Sequence, residues 1–179
     1  MGPAAYRVSG RVSFARWRDR DPGHAEHTAP GAVHQDVLQF STRPLNGAQS
    51  LDGVFSAAFH AIEWHRRHDA VLAVQVVVHR PDTTVRGVAL PLTADTFEFA
   101  LGDPPKSRAA QNWPLAPVAC QDGDVIAINV GIAANNQSNT LAQSIGFSVY
   151  ASAVADLSRL DDPQIANSWL EFSAPLTFY

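Results

Sequence analysis

Lysine, methionine and cysteine are nearly missing from this chain. Of its 179 residues, Lys106 is the only lysine, Met1 the only methionine and Cys120 the only cysteine. A single cysteine cannot close an intramolecular disulfide, so the fold does not depend on oxidation. Cys120 ends the apolar run "PLAPVAC" and reads as a buried small side chain; nothing beside it supplies the base that a catalytic thiol needs. Charge is scarce as well, at 17% against 46% hydrophobic residues, with a formal net charge of -4. A protein that neutralises phosphates needs clustered positive charge, so nucleic-acid binding is disfavoured. The one basic cluster, "RVSFARWRDR", is broken by Asp19 and followed by Asp21, the pattern of a solvated face. No apolar run approaches the roughly 20 residues of a membrane span, and "AVLAVQVVV" is among the longest. The start, "MGPAAYRVSG", has no apolar signal-peptide core, and Tyr6 stands where a myristoylation signal wants Ser or Thr. The expectation is synthesis in the cytoplasm without a cleaved signal, and no membrane insertion.

Catalytic motifs are missing too. There is no G-x-S-x-G, no H-E-x-x-H and no phosphate-cradling glycine loop; in "GDPPKS" the prolines forbid a Walker loop.

What is present is short apolar runs separated by turn residues. "YRVSGRVSF" (6–14) alternates, "DVLQFST" (36–42) is short, and "VLAVQVVVH" (71–79) is dense in β-branched residues. "GVFSAAFHAIEWH" (53–65) fits a strand, with a helix as its alternative because Phe55 and Phe59, and Ala58 and Ile62, also fit helical spacing. "VRGVALPL", "TFEFAL", "VIAINVGIAA", "SIGFSVY" and "WLEFSAPLTF" complete the strands. Residues 19–35 and 102–112, rich in Pro, Gly and charge, read as loops, the first as a long loop or arm. About nine or ten short strands with no long helix predict an all-β, jelly-roll-like β-sandwich. With no repeat or linker, residues 1–179 read as a single domain.

The stretch "NSWLEFS" shows how a strand of this chain divides its side chains. Alternation puts Trp169 and Glu171 on one face and Leu170 and Phe172 on the other. Leu170 and Phe172 are expected in the core, with Trp169 at a core margin beside Glu171, and the strand closes the sandwich.

Several constellations could carry chemistry. Trp17, Trp64 and Trp113 are candidate sugar-stacking platforms, since indole rings pack on apolar sugar faces; core packing is the alternative. Asn135, Asp156, Asp161 and Asp162 could supply oxygen ligands to calcium, against the alternative of local turn chemistry. No other cofactor is expected. His60, His65 and His68 lie close in sequence, but offsets of five and three suit a zinc site poorly, and His24, His27 and His34 are irregularly spaced. A glycosidase needs two carboxylates across a cleft, for which Glu63, Glu98, Glu171, Asp156 and Asp161 are candidates.

The last third carries a resemblance. "DGDVIAINVGIAANNQSNT", "GFSVYASAVADLSRLDD" and "SWLEFS" occur in this order over residues 122–173, with "TTVRGVALPL" (83–92) upstream. Gly123-Asp124, Gly131, Asn135-Asn136, Asp156-Leu157 and Trp169 to Ser173 resemble the C-terminal signature of virion proteins of tailed bacteriophages, which ends in a Trp-Ile-Glu-Phe-Ser strand. Leu170 replaces the Ile, Tyr150-Ala151 stands where the family has Tyr with glycines, and the first 50 residues are unlike it. The resemblance implies a jelly roll in a tail tip, fibre or capsid surface. It implies a non-enzymatic structural or adhesive component located in the virion. Its expected partners are other virion proteins and copies of itself, a trimer above all, and a host glycan. The alternatives are a carbohydrate-binding module and a carbohydrate-active hydrolase.

Overall fold

The computed structural model describes residues 6–8, 12–13, 23–27, 31–63, 68–99, 106–136, 143–148 and 169–179, with side chains over 39–59, 69–99, 112–134 and 169–179. These residues form fourteen strands: β1 (Tyr6–Val8), β2 (Val12–Ser13), β3 (Gly23–His27), β4 (Gly31–Ser41), β5 (Gln49–Leu51), β6 (Val54–Glu63), β7 (His68–His79), β8 (Val85–Glu98), β9 (Lys106–Pro114), β10 (Val118–Cys120), β11 (Val125–Asn136), β12 (Gln143–Ser148), β13 (Trp169–Phe172) and β14 (Leu176–Phe178).

Their pairing follows one rule. β7 pairs with β8, β6 with β9, β5 with β10, β4 with β11, β3 with β12, β2 with β13 and β1 with β14, all antiparallel. The chain is thus one long antiparallel hairpin, nested around the β7–β8 turn. Three further ladders, β7 with β11, β6 with β12 and β6 with β13, wind that hairpin into two larger sheets, beside which β1–β14 and β5–β10 remain two-stranded pairs. One sheet has the order β4-β11-β7-β8; the other is β2-β13-β6-β12-β3 with β9 on the second edge of β6. A hairpin wound in this way is a jelly-roll β-sandwich.

The strands form where side chains can pack a pleated, half-buried surface. On β7, Leu72, Val74, Val76 and Val78 point into the core, and on β11 Ile126, Ile128, Val130 and Ile132 do the same. Across the gap they meet Phe55, Ala57 and Phe59 of β6 and Leu170 and Phe172 of β13. Phe40 on β4 stacks on Phe59 of the opposite sheet at 6.3 Å, and Phe55 meets its ladder partner Phe172 at 5.4 Å. Each such side chain contributes about 1.5–3 kcal/mol by leaving water.

The sandwich was expected, but several elements differ from the sequence reading. Residues 19–35 are not one long loop: β3 and the first half of β4 lie inside them, laddered to β12 and β11. Most of the second expected loop, 102–112, is strand β9. In both places the partner strand supplies the order that local composition does not. The expected strands 85–92 and 96–101 are one strand, β8, whose register against β7 shifts at four places. Ser173 and Ala174 bend the expected final strand into β13 and β14. The helical alternative for 53–65 gives way to β6. Trp169 is not at a core margin but 0% exposed, on the face opposite Leu170 and Phe172. Ala58, its ladder partner, is also fully buried, and Ser56 nearly so. Both faces of the β6–β13 pair therefore carry buried side chains.

One glycine has a steric reason as well as a conformational one. Gly53 has φ +82, and a Cβ there would stand 2.3 Å from Ser173 Oγ. That hydroxyl accepts a hydrogen bond from Val54 N at 2.8 Å. Gly53→Ala is expected to cost about 1–2 kcal/mol for the left-handed backbone and about 1 kcal/mol more for the displaced bond. Gly47, φ +78 with nothing within 4 Å of its Cβ position, provides the comparison. Gly47→Ala should show only the backbone part, and urea unfolding of the two variants separates the contributions.

Candidate functional site

The best-organised polar region lies at one end of the sandwich, where residues 43–49, 121–124 and 176–179 meet. "QDGD" makes the turn from β10 into β11: Gly123 takes φ +80, and Asp124 N donates to Gln121 O at 3.1 Å. The turn sends its two aspartates in opposite directions. Asp124 goes inward, is 0% exposed, and forms an ion pair with Arg86 of β8 through Nε. Arg86 also donates from its terminal nitrogen to Asp124 Oδ1 and to Gln121 Oε1, each at 3.0 Å, and Gln121 N donates to Asp124 Oδ2 at 2.7 Å. Leu45 N donates to Asp124 O at 2.7 Å and Gly123 N to Leu45 O at 2.9 Å, tying the loop after β4 to this turn.

Asp122 goes outward. Its Oδ1 accepts from Tyr179 Oη at 2.5 Å and from Gly47 N at 2.7 Å. The Tyr179 hydrogen bond, with that of Gly47 second, holds the Asp122 carboxyl below the usual carboxylate range. The same bond pushes the Tyr179 hydroxyl up. At neutral pH the pair is therefore a carboxylate and an intact phenol. Strand β14 is fastened beside it: Gln49 donates to Thr177 O and accepts from Thr177 N, both at 2.9 Å, Asn46 N donates to Thr177 O, and Tyr179 N donates to Pro44 O. Cys120 lies under this end, 3% exposed, and burial raises its thiol, so it fits the structural reading rather than a reactive one.

A second feature is apolar. Among the described residues five large hydrophobic side chains are exposed, and four of them, Val85, Val88, Leu92 and Phe97, stand on β8. β8 is the edge of its sheet. Its backbone is poorly suited to receive another strand: Pro91 lacks an N–H, the register shifts break the line, and Ala89 O is already taken by Ala116 N at 2.7 Å. What β8 offers a neighbour is side chains.

The residues singled out from the sequence fare unevenly. Trp17, Trp64, Asp156, Asp161 and Asp162 lie outside the described residues. Trp113, at the end of β9, is half-buried and packs against the core. Asn135 is not in a loop; it is laddered in β11 between Ala32 and Asp69. His24 and His27 are on β3 and His34 on β4, strands rather than an arm. Among the described residues no three His, Cys, Asp or Glu gather as metal ligands. Of the carboxylates, Glu171 stands opposite Ser56, seven positions along β6 from Glu63. At ~3.3 Å per residue that separates them by about 23 Å. Glu98 belongs to the other sheet. Glu63 and Glu171 are thus too far apart to form the pair that glycoside hydrolysis requires. No helix among the described residues is long and apolar enough to cross a membrane.

The polar end was read from sequence only as a turn. The signal that could have found it is Arg86, a lone charge inside the apolar run "VRGVAL", together with the paired aspartates of "DGD". A charge that must be buried on a strand needs an opposite charge, and Asp124 is the one that turns inward.

Comparison with known proteins gives likeness of shape only. No family model matches the chain, and no curated protein matches it. Among solved structures, a chain of the infectious bursal disease virus Gt strain aligns over 98% of this chain at TM-score 0.51 and 8% identity. A chain of the Gx strain aligns over 99% at 0.48 and 8% identity, and one of the VP2 subviral particle of the same virus over 98% at 0.42 and 10% identity. This chain spans 32%, 32% and 39% of the Gt, Gx and VP2 chains respectively. The likeness to the Gt-strain chain is one of fold, shared along nearly the whole of the present chain.

Proposed function

We propose that this chain is a non-enzymatic structural subunit of a virus particle, a single jelly-roll domain that assembles with copies of itself and with other virion proteins. The observation that carries the reading is that four of the five exposed large hydrophobic side chains among the described residues stand on the edge strand β8, in a fold shared with a chain of a virus structure. The resemblance over residues 122–173 supports a tailed phage or a phage-like device as the particle. A closed ring is the economical assembly, with a trimer favoured. The subunit is made in the host cytoplasm and works in the virion.

The apolar area that these side chains offer limits the strength of the contact. A large aromatic side chain buries about 150–250 Å², and Val85, Val88, Leu92 and Phe97 are each about half exposed. Together they offer a few hundred Å², less than the roughly 800 Å² per partner of a stable pair. Assembly through β8 is therefore concentration-dependent and reversible, and gains strength when several contacts close together.

The test is light scattering on the purified chain across a dilution series. The expected result is an oligomer that falls apart on dilution. Leu92→Lys with Phe97→Asp should return it to a monomer with an unchanged thermal midpoint, since both side chains are exposed. A chain that stays monomeric at high concentration and is absent from any particle would overturn the reading.

A further inference from the structure

We propose that the outer face of the strands β4-β11-β7 is a contact surface for a second copy of this chain, laid against it face to face across a two-fold axis. The observation that carries it is a row of three amides. Gln39 Nε2 donates to Asn129 Oδ1 at 2.8 Å, and Asn129 Nδ2 donates to Gln75 Oε1 at 3.1 Å. The three are in register: Asn129 pairs with Gln39 on one side and with Gln75 on the other. Phe40, Val74, Val76, Ile128 and Val130 belong to the core, so the alternate residues, these amides among them, stand on the other face.

That face is short of charge. The row above the amides runs Ser41, Ala127, Val77 across the same three strands, and in the row below Gly131 pairs with Ala73. Ala73, Val77 and Ala127 are at most 7% exposed, while Gln39 and Ser41 are exposed and Asn129 and Gln75 half-buried. The amides are thus the groups that this face presents. Charge enters at the margins, at Asp36 beside Gly131 on β4 and at Asp69 further along β7. The solvated face of an antiparallel sheet is ordinarily polar, and depletion of charge marks the centre of a protein contact.

The occupant follows from the sense of the row. An amide has donors on its nitrogen and acceptor sites on its oxygen. Both bonds run from β4 toward β7, so the row ends in an acceptor, Gln39 Oε1, and a donor, Gln75 Nε2. A charged group would satisfy one end only. A second copy turned about an axis along the strands through Asn129 satisfies both: Gln39 of each copy meets Gln75 of the other, and Asn129 meets its own image. Flipping all three amides reverses the row and leaves it self-complementary. The same rotation aligns the two sheets, an ordinary packing of sheet on sheet. From Val125 to Ala133 and over three strands the face measures roughly 27 by 14 Å, about 400 Å². That is about half of the roughly 800 Å² per partner of a stable pair. The pair is therefore weak alone and gains strength where other contacts hold the copies together. The axis leaves β8 of each copy beyond β4 of the other, so this contact goes beyond the one proposed for β8 and does not use it.

The experiment is cross-linking of the full chain by a bismaleimide whose arm spans about 10 Å, the distance between packed sheets. Cys120 is buried, so a new cysteine reports its own surroundings. Asn129→Cys, at the axis, should give a covalent dimer in several-fold higher yield than Ala48→Cys, exposed in the loop before β5. A second arm keeps Asn129: Gln39→Cys mixed with Gln75→Cys should cross-link to each other more than either does to itself. Ser41→Lys, an exposed change beside Ala127, should lower both yields several-fold with the thermal midpoint retained. Yields no higher than the Ala48→Cys control in both arms overturn the proposal, as does cross-linking that Ser41→Lys leaves unchanged. The two contacts fail separately. Light scattering reports the oligomer made through β8, which Ser41→Lys should leave in place, and cross-linking reports the amide face.

Discussion

Arg86→Ala is expected to lower the free energy of unfolding by about 3–5 kcal/mol. The reason is what the substitution leaves behind. Asp124 is 0% exposed and Arg86 15%. With the guanidinium gone, a buried carboxylate keeps the donor Gln121 N and loses its counter-charge. Removing one partner of a buried pair costs far more than the pair itself is worth. The companion variant makes the point testable. Arg86→Met with Asp124→Leu removes both charges and keeps much of the volume, and it should recover most of the loss. Arg86→Lys should fall between, because a point charge cannot make the forked contact to Asp124 and Gln121 at once. Urea unfolding of the native chain, Arg86→Met, Asp124→Leu and their combination forms a double-mutant cycle, and a coupling energy under about 1 kcal/mol would show that the ion pair does not hold the β8–β11 end together.

This pair also shows why the fold was more legible in the sequence than the site. The wound strands are written locally. The valines of β7 and the Ile-rich alternation of β11 announce strands whatever their partners are. β3 and β9 are not announced, because "GHAEH" and "KSRAAQNWP" have little of the composition that favours strands. They are extended because β12 and β6 give them a ladder. Nested pairing makes this general. Each outer strand is fixed by a partner far along the chain, 119 positions away for the bond between Val54 and Ser173. A local window does not see that distance.

The same limit hid the polar end. "QDGD" declares a turn, and Gly123 is where the left-handed residue falls. Nothing in those four letters says that Asp124 meets Arg86, 38 positions away, or that Asp122 meets Tyr179, 57 positions away. Both contacts require the closure of β10 on β5 and of β14 on the loop after β4. The exposure of a ring is hidden for a related reason. Composition identifies rings, but how far a ring faces water is set by what packs on it, and Trp113 is half-buried against the core.

Trp169→Ala is expected to cost about 3–5 kcal/mol, the range for an aromatic lost from a packed interior. The stretch "NSWLEFS" alternates, and alternation alone would put Trp169 on the outer face with Glu171. Glu171 is indeed only half-buried, yet Trp169 is fully buried, as is Ala58 opposite it. The strand therefore works with both faces: Leu170 and Phe172 fill the space between the sheets, and Trp169 fills the other side. Three substitutions on three consecutive residues test that division by thermal or urea unfolding. Leu170→Ala should cost about 2–5 kcal/mol, and Glu171→Ala should stay within about 0.5 kcal/mol. If Trp169→Ala resembled Glu171→Ala rather than Leu170→Ala, the second buried face would not exist. The consequence reaches past stability. β13 is the strand through which β2 joins β6, so a cavity at Trp169 loosens the outermost ladders of the wound hairpin first. Hydrogen exchange in Trp169→Ala should accordingly rise at Val12 and Ser13 before it rises at Val76 and Ile128 in the innermost ladders.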